Sequence, residues 1–251
     1  MRSRVAIVVG SVACALVAWH VLARATGPLL LATPPAVVRS LFADRGLLAP
    51  AVLHTGLGAV GGLAIASLLG VGTAVTAWAS RTLAMALLPW TVLVQVVPIV
   101  AIAPLLVVWL GYGGGVALAT AAIASFYPVN AATATGLASP TASMVDLFRL
   151  YGASRARELV WLRLPAALPS MFAGLRTAAG LAVIGAIVGE FVGSNGQPPT
   201  LGYLVMLAAR SARSDLGFAA VACATGLALA MHGVVRVAER RAIGRWYGVG
   251  G

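Results

Sequence analysis

Residues 146–170, DLFRLYGASRARELVWLRLPAALPS, are unlike the rest of the chain. The 251 residues hold only 17 basic and 6 acidic side chains. Six of these (Asp146, Arg149, Arg155, Arg157, Glu158 and Arg163) crowd into this stretch, which a glycine punctuates and two prolines close. Around it the sequence is 61% hydrophobic and only 9% charged, against about 25% charged in an ordinary soluble domain. A soluble fold of this length could not hide so much apolar surface, so the natural solvent of the chain is lipid.

The net charge is +11, and every basic residue is arginine. The arginines fall between long apolar runs rather than on one patch. They therefore read as orientation signals for membrane insertion and not as a nucleic-acid surface. Cys14 and Cys223 sit within apolar runs without metal-ligand spacing, and His20, His54 and His232 form no close pair. No Ser-His-Asp, HExxH or GxxxxGK[ST] pattern is present, so the chain is expected neither to be an enzyme nor to bind ATP, a cofactor or a metal itself.

A spanning helix needs about 20 mainly apolar residues. Six runs qualify: residues 5–23, 52–79, 83–110, 115–138, 171–193 and 214–236. The first is long for a signal-peptide core, and Trp19 suits an interfacial anchor; a cleaved leader ending at ARA (23–25) is the competing reading. With the N-terminus inside, the inner segments collect Arg2, Arg4, Arg81, Arg149, Arg155, Arg157, Arg163, Arg176, Arg236, Arg240, Arg241 and Arg245, against Arg24, Arg39, Arg45, Arg210 and Arg213 outside. Twelve against five predicts that both termini and the polar stretch are cytoplasmic. The fold class is thus an all-α polytopic membrane protein. Residues 1–50 form the first span and an outer connection, 51–236 the main transmembrane domain, and 237–251 a cytoplasmic tail. Small-residue stretches at 56–62 and 70–74 suit close helix packing, or merely track composition. Pro89, Pro98, Pro104 and Pro128 predict bent spans, as a translocation pathway would use.

Within the polar stretch, Pro140 and Thr141 can open a short helix running to about Tyr151, which Gly152 ends in the left-handed conformation. Ser154 can cap a second short helix over 155–163 that stops before Pro165, with Arg155 and Glu158 turned away from its apolar face. Such an element fits a groove on another protein; an ordinary charged loop has the same composition, and these features alone leave both readings open.

Asp146-Leu147-Phe148, then Gly152, Leu162 and Leu164-Pro165, keep the spacing of the EAA loop (E-A-A, three residues, G, nine residues, I, one residue, L-P). The segment resembles that loop in permease subunits of type I ABC importers, with Leu147 and Phe148 in place of two alanines. More narrowly, residues 152–176, VPIVAIAPLLVVWLGYG (97–113), VGEF (188–191) and LGYL (201–204) resemble the nitrate/sulfonate/taurine subgroup, which includes relatives for pyrimidines and riboflavin.

The resemblance implies that residues 139–170 couple the spans to a separate ATPase subunit, which binds ATP and Mg. Asp146, Arg149, Gly152, Ala153, Ser154, Arg155, Arg157, Glu158, Leu162 and Pro165 are its docking candidates, with Gly152, Ala153 and Ser154 at the bend. It further implies a second permease copy and an extracytoplasmic solute-binding protein. Pro165 and Pro169 read as structural, and Arg163 and Arg176 as interfacial anchors. Glu190, Gln95 and Pro98 are pathway candidates, with Trp109, Phe126, Tyr127 and Asn130 equally suited to packing; Glu190 could instead pair with an arginine. An ion-driven secondary transporter also explains six bent spans, but not the loop spacing. Nothing in the residues selects a cargo.

Overall fold

The computed structural model describes residues 2–247. The side chains of Arg2, Arg4 and Arg245, and residues 248–251 of the expected tail, lie outside the described residues. All regular structure among the described residues is helical. Helix α1 (Arg2–Thr26) carries the first apolar run, and α2 (Pro34–Ala43) starts on two prolines, whose fixed φ suits a first helical turn. Helix α3 (Arg45–Ala79) begins earlier than the apolar run implies. It absorbs Pro50 because the only hydrogen bond lost is to the exposed carbonyl of Gly46, near the helix start.

The third apolar run is not one bent helix. It divides into α4 (Arg81–Val96) and α5 (Ile99–Leu110), which meet at 100°. Pro98 cannot donate to Val94, and its ring drives Val97 to an extended conformation (φ −63°, ψ 123°), so the helix breaks instead of kinking. Next come α6 (Gly114–Leu137), α7 (Ala142–Leu150) and α8 (Arg155–Glu158). A π-helical turn (Leu159–Arg163) then joins α8 to α9 (Leu164–Gly193). After α10 (Leu201–Arg210), α11 (Ser214–Tyr247) continues straight through the start of the expected tail. Five helices are long and apolar enough to span a bilayer, and six spans result when α4 and α5 count as one.

The core is α3, α6 and α9, and glycine sets their approach. A Cβ on Gly62 of α3 would stand 2.4 Å from Cβ of Ala121 on α6; one on Gly189 of α9 would stand 2.3 Å from Oγ1 of Thr120. The small residues therefore have a packing cause beyond composition. Buried Asn130 adds a polar tie, donating to the Gly70 carbonyl (3.1 Å) and to Thr73 Oγ1 (2.7 Å). Large apolar side chains such as Leu68 and Val108 face outward, as lipid solvation permits.

Contacts define two ends. At one, Ala79 and Leu137 close α3 and α6 against the 138–163 segment. At the other, Gly113 N–H donates to Gly193 O (2.7 Å), and Arg213 grips Asp44 (2.7 Å) and Asp215 (3.2 Å). Ser214 Oγ donates to the Pro28 carbonyl, so the residues before α2 are tied to the start of α11. Trp19 of α1 packs on Phe218 of α11, ring centroids 5.8 Å apart.

Candidate functional site

The polar stretch folds as a helix, a left-handed turn and a second helix. Gly152 has φ +69°; its N–H donates to Arg149 O (2.9 Å), and Ala153 N–H donates to Phe148 O (3.0 Å). This pair of bonds is the Schellman closure of α7, and glycine takes the left-handed position without strain. Ser154, extended at φ −69° and ψ 160°, accepts the Arg157 N–H at 3.4 Å and caps α8.

From there the structure departs from the expected short helix. Pro165 does not stop it: α8, the π turn and α9 are one continuous rod, Arg155–Gly193. Leu164 N–H donates to Leu159 O, five residues back, and this shift of register carries the chain through the Leu-Pro pair. Glu158 is not turned away either. It is buried, and its Oε1 accepts from Arg163 Nε at 2.6 Å.

Two arginines lock the rod to the ends of the core helices. Arg155 donates to the Ala79 carbonyl (3.0 Å), the last residue of α3; Arg163 donates to the Leu137 carbonyl (2.7 Å), the last of α6, and lies 5.1 Å over the Trp78 ring. Each fills an orphan carbonyl at the negative end of a helix dipole. Arg163 is therefore a half-buried connector between the rod, α6 and Trp78. Arg176 likewise pairs with Glu239 of α11. Leu162 is buried, Pro165 is half-buried, and Arg157 stays exposed.

What remains free is the tip. Leu150 and Tyr151 are each 84% exposed, with Leu147, Ala153, Asp146 and Arg149 around them; the last two form a loose pair at 4.0 Å. An apolar cap ringed by charge is the composition of a protein-docking surface. Of these, Leu147, Leu150 and Tyr151 were not among the docking candidates. Their i, i+3, i+4 spacing at 147, 150 and 151 signals a common face, but spacing alone does not say whether that face is buried.

At the opposite end, Glu190 is 3% exposed and has no arginine beside it among the described residues. Its Oε2 accepts from Thr55 Oγ1 (3.0 Å) and from Gly202 N–H (2.8 Å). Thr55 in turn accepts from Leu201 N–H (2.9 Å), and Thr200 from Tyr203 N–H (3.3 Å). The first three N–H groups of α10 thus each have a side-chain acceptor, and the carboxylate faces the positive end of that helix. Thr55 was not singled out from sequence; its partner lies 135 residues away. Glu190 also lines a cavity of about 310 Å³ with His54, Ser194, Asn195, Gln197 and Thr200. Gln95 lines a separate cavity of about 420 Å³ with Tyr127 and Pro128, beside the break at Pro98. Gln95 and Glu190 are therefore not brought together. Asn130 is packing material, and Trp109 faces outward.

The comparisons with known proteins converge on the same parts. The family described as binding-protein-dependent transport system inner membrane component matches residues 47–244, from the start of α3 nearly to the end of α11. A probable ABC transporter permease of Haemophilus influenzae is 38% identical over 80% of this chain and 80% of its own length. The formylaminopyrimidine transport permease ThiX of Halalkalibacterium halodurans is 34% identical over 72% of this chain and 73% of its own. The taurine transport permease TauC of Escherichia coli is 28% identical over 99% of this chain and 92% of its own. A six-span bundle whose core helices are strapped to a projecting helix–Gly–helix element, matched across nearly all of its spans, leaves one assignment: the chain belongs to the inner membrane component family of binding-protein-dependent transport systems.

Proposed function

We propose that the chain is the permease subunit through which an ATP-driven importer passes a small solute, and that residues 139–170 are its coupling loop. The observation that carries this is the loop's two-sided construction. Its tip is exposed and apolar, while its second limb is held by Arg155 and Arg163 to the ends of α3 and α6 and runs unbroken into α9. An ATPase subunit gripping the tip at Leu147, Arg149, Leu150, Tyr151 and Gly152 therefore moves three core spans at once. ATP and Mg are bound and hydrolysed in that partner. The excess of arginine at the loop end supports a cytoplasmic position for it and for both termini. A solute-binding protein delivers cargo at the other end, and a second copy of the chain completes the pathway. Cargo in this proposal is a small solute of the kinds named for the relatives, a pyrimidine or a sulfonate.

The test is purification of the tagged chain from its native membrane, with ATPase activity followed for wild type and Gly152→Asp. We expect an ATPase subunit to co-purify with wild type, and the variant to insert normally but lose both the partner and ATP-driven uptake. A chain that purifies alone in both forms, with uptake following an ion gradient, overturns the proposal.

A further inference from the structure

Helices α9 and α11 enclose a cleft whose wall changes character along its length. Part of it is an apolar groove of about 330 Å³, lined by Gly180, Ile184 and Phe191 of α9 and by Val221, Thr225 and Ala228 of α11. Nearer the start of α9 lies a cavity of about 730 Å³, whose lining includes Arg176, His232, Arg236, Glu239 and Arg240. Glu239 is engaged by Arg176, whereas Arg236 and Arg240 are exposed and have no acid within 4.0 Å among the described residues. These two stand at i and i+4, where like charges repel. Three arginines against one glutamate leave a surplus of positive charge that an anion between them relieves. Residues 216–235 of α11 contain no Asp, Glu or Arg and rise about 30 Å, the hydrocarbon thickness of a bilayer. With Asp215 at one membrane surface, Arg236 and Arg240 therefore stand at the headgroup level of the other. Along α9 the groove, from Gly180 to Phe191, rises about 16 Å, roughly the depth of one leaflet.

We infer that this cleft binds an anionic phospholipid, its phosphate held by Arg176, Arg236 and Arg240 and one acyl chain lying in the groove beside Gly180 and Ile184. Arg236 and Arg240 donate charge-assisted hydrogen bonds to the phosphate oxygens, and Glu239 keeps Arg176 turned toward α11. A free phosphate meets the arginines but leaves the apolar groove uncovered. A lipid satisfies both halves of the cleft, as basic pockets between spans do for anionic headgroups. The site stands independently of the permease reading, since no residue of the coupling tip lines it.

Both halves can be altered without touching the core. Arg236 and Arg240 are exposed, and a Cβ on Gly180 has nothing within 4 Å. Arg236→Gln with Arg240→Gln removes the headgroup contacts, and Gly180→Leu fills the groove. The full chain, purified in a neutral detergent with any subunit it retains, is titrated with dioleoyl phosphatidylglycerol, dioleoyl phosphatidylcholine or inorganic phosphate while its thermal midpoint is followed. We expect phosphatidylglycerol to raise the midpoint saturably and the other two to leave it unmoved. The double arginine variant should weaken phosphatidylglycerol at least about tenfold, the effect of losing a charged hydrogen bond, at an unchanged lipid-free midpoint. Gly180→Leu should weaken it as well; should that variant fail to fold, the arginine variant decides alone. Saturation by inorganic phosphate, with Gly180→Leu inert, assigns the arginines to a soluble anion and overturns the inference. Equal effects of the two lipids, or unaltered phosphatidylglycerol affinity in the arginine variant, overturn it too. A dimer insensitive to both lipids, which Gly180→Leu splits into monomers, gives the cleft to a second copy of the chain instead.

Discussion

Arg163 makes three contacts at once: Nε to Glu158, NH1 to the Leu137 carbonyl, and its guanidinium plane over Trp78. Removing Arg163 strands the buried Glu158 carboxylate, at a cost of up to about 3–5 kcal/mol, whereas replacing both members of such a pair with apolar groups is often neutral. We expect Arg163→Ala to lower the thermal midpoint sharply in detergent and Arg163→Met combined with Glu158→Leu to recover most of it. The double variant should still fail in ATP-driven uptake, because the bond to Leu137 is gone; full uptake by it would show that the strap is not the transmission. At Gly152 the surroundings are open but φ is +69°. Gly152→Ala should therefore destabilise by roughly 1–2 kcal/mol, read as a loss of ATPase co-purification that lower temperature restores. Both this glycine and the Ser154 cap were legible in sequence because their partners lie within five residues. The inward turn of Glu158 was not, since it depends on the rod passing through Pro165 and on a carbonyl 26 residues before Arg163.

Among the elements, α10 and the residues around Asp44 show how polar side chains organise an apolar chain. Hydrogen bonding to Arg213 holds the Asp44 carboxyl below its ordinary value of 3.8, against the opposing effect of burial, and the same pairing pushes the Arg213 guanidinium up. A depressed folded-state pKa contributes stability that is present above the unfolded value and lost as pH falls through the folded one. Thermal midpoints should therefore be insensitive to this pair between neutral pH and about pH 5, and fall below about pH 4. Asp44→Asn should flatten that acid limb while lowering the midpoint at pH 7. An unaltered limb in the variant would assign the acid sensitivity elsewhere. The long helices were readable as apolar runs; their limits were not. The break at Val97 and Pro98 follows from proline stereochemistry once the α4–α5 geometry is seen, but from sequence the same proline equally suits a gentle bend.

For the molecule as a whole, stability rests on how closely α3, α6 and α9 approach. Gly62→Leu and Gly189→Leu each force a side chain into an occupied space, and overpacking costs on the order of 1–3 kcal/mol or more. Each variant should reach the membrane in reduced amount and unfold at lower temperature, while Gly72→Leu, at a glycine with open surroundings, should not. Wild-type yield from Gly189→Leu would contradict the packing. The architecture was legible because a bilayer permits few solutions for six apolar runs. The pairing of α3 with α6 and of α6 with α9 was not, since small residues occur on many faces. One further property follows from the π turn that carries the chain through Leu164 and Pro165. Glu158 and Glu190 stand on a single shaft, 32 residues and therefore about 48 Å apart. A torque applied where Arg163 straps in the first therefore turns the end of the shaft that the second ties to α10.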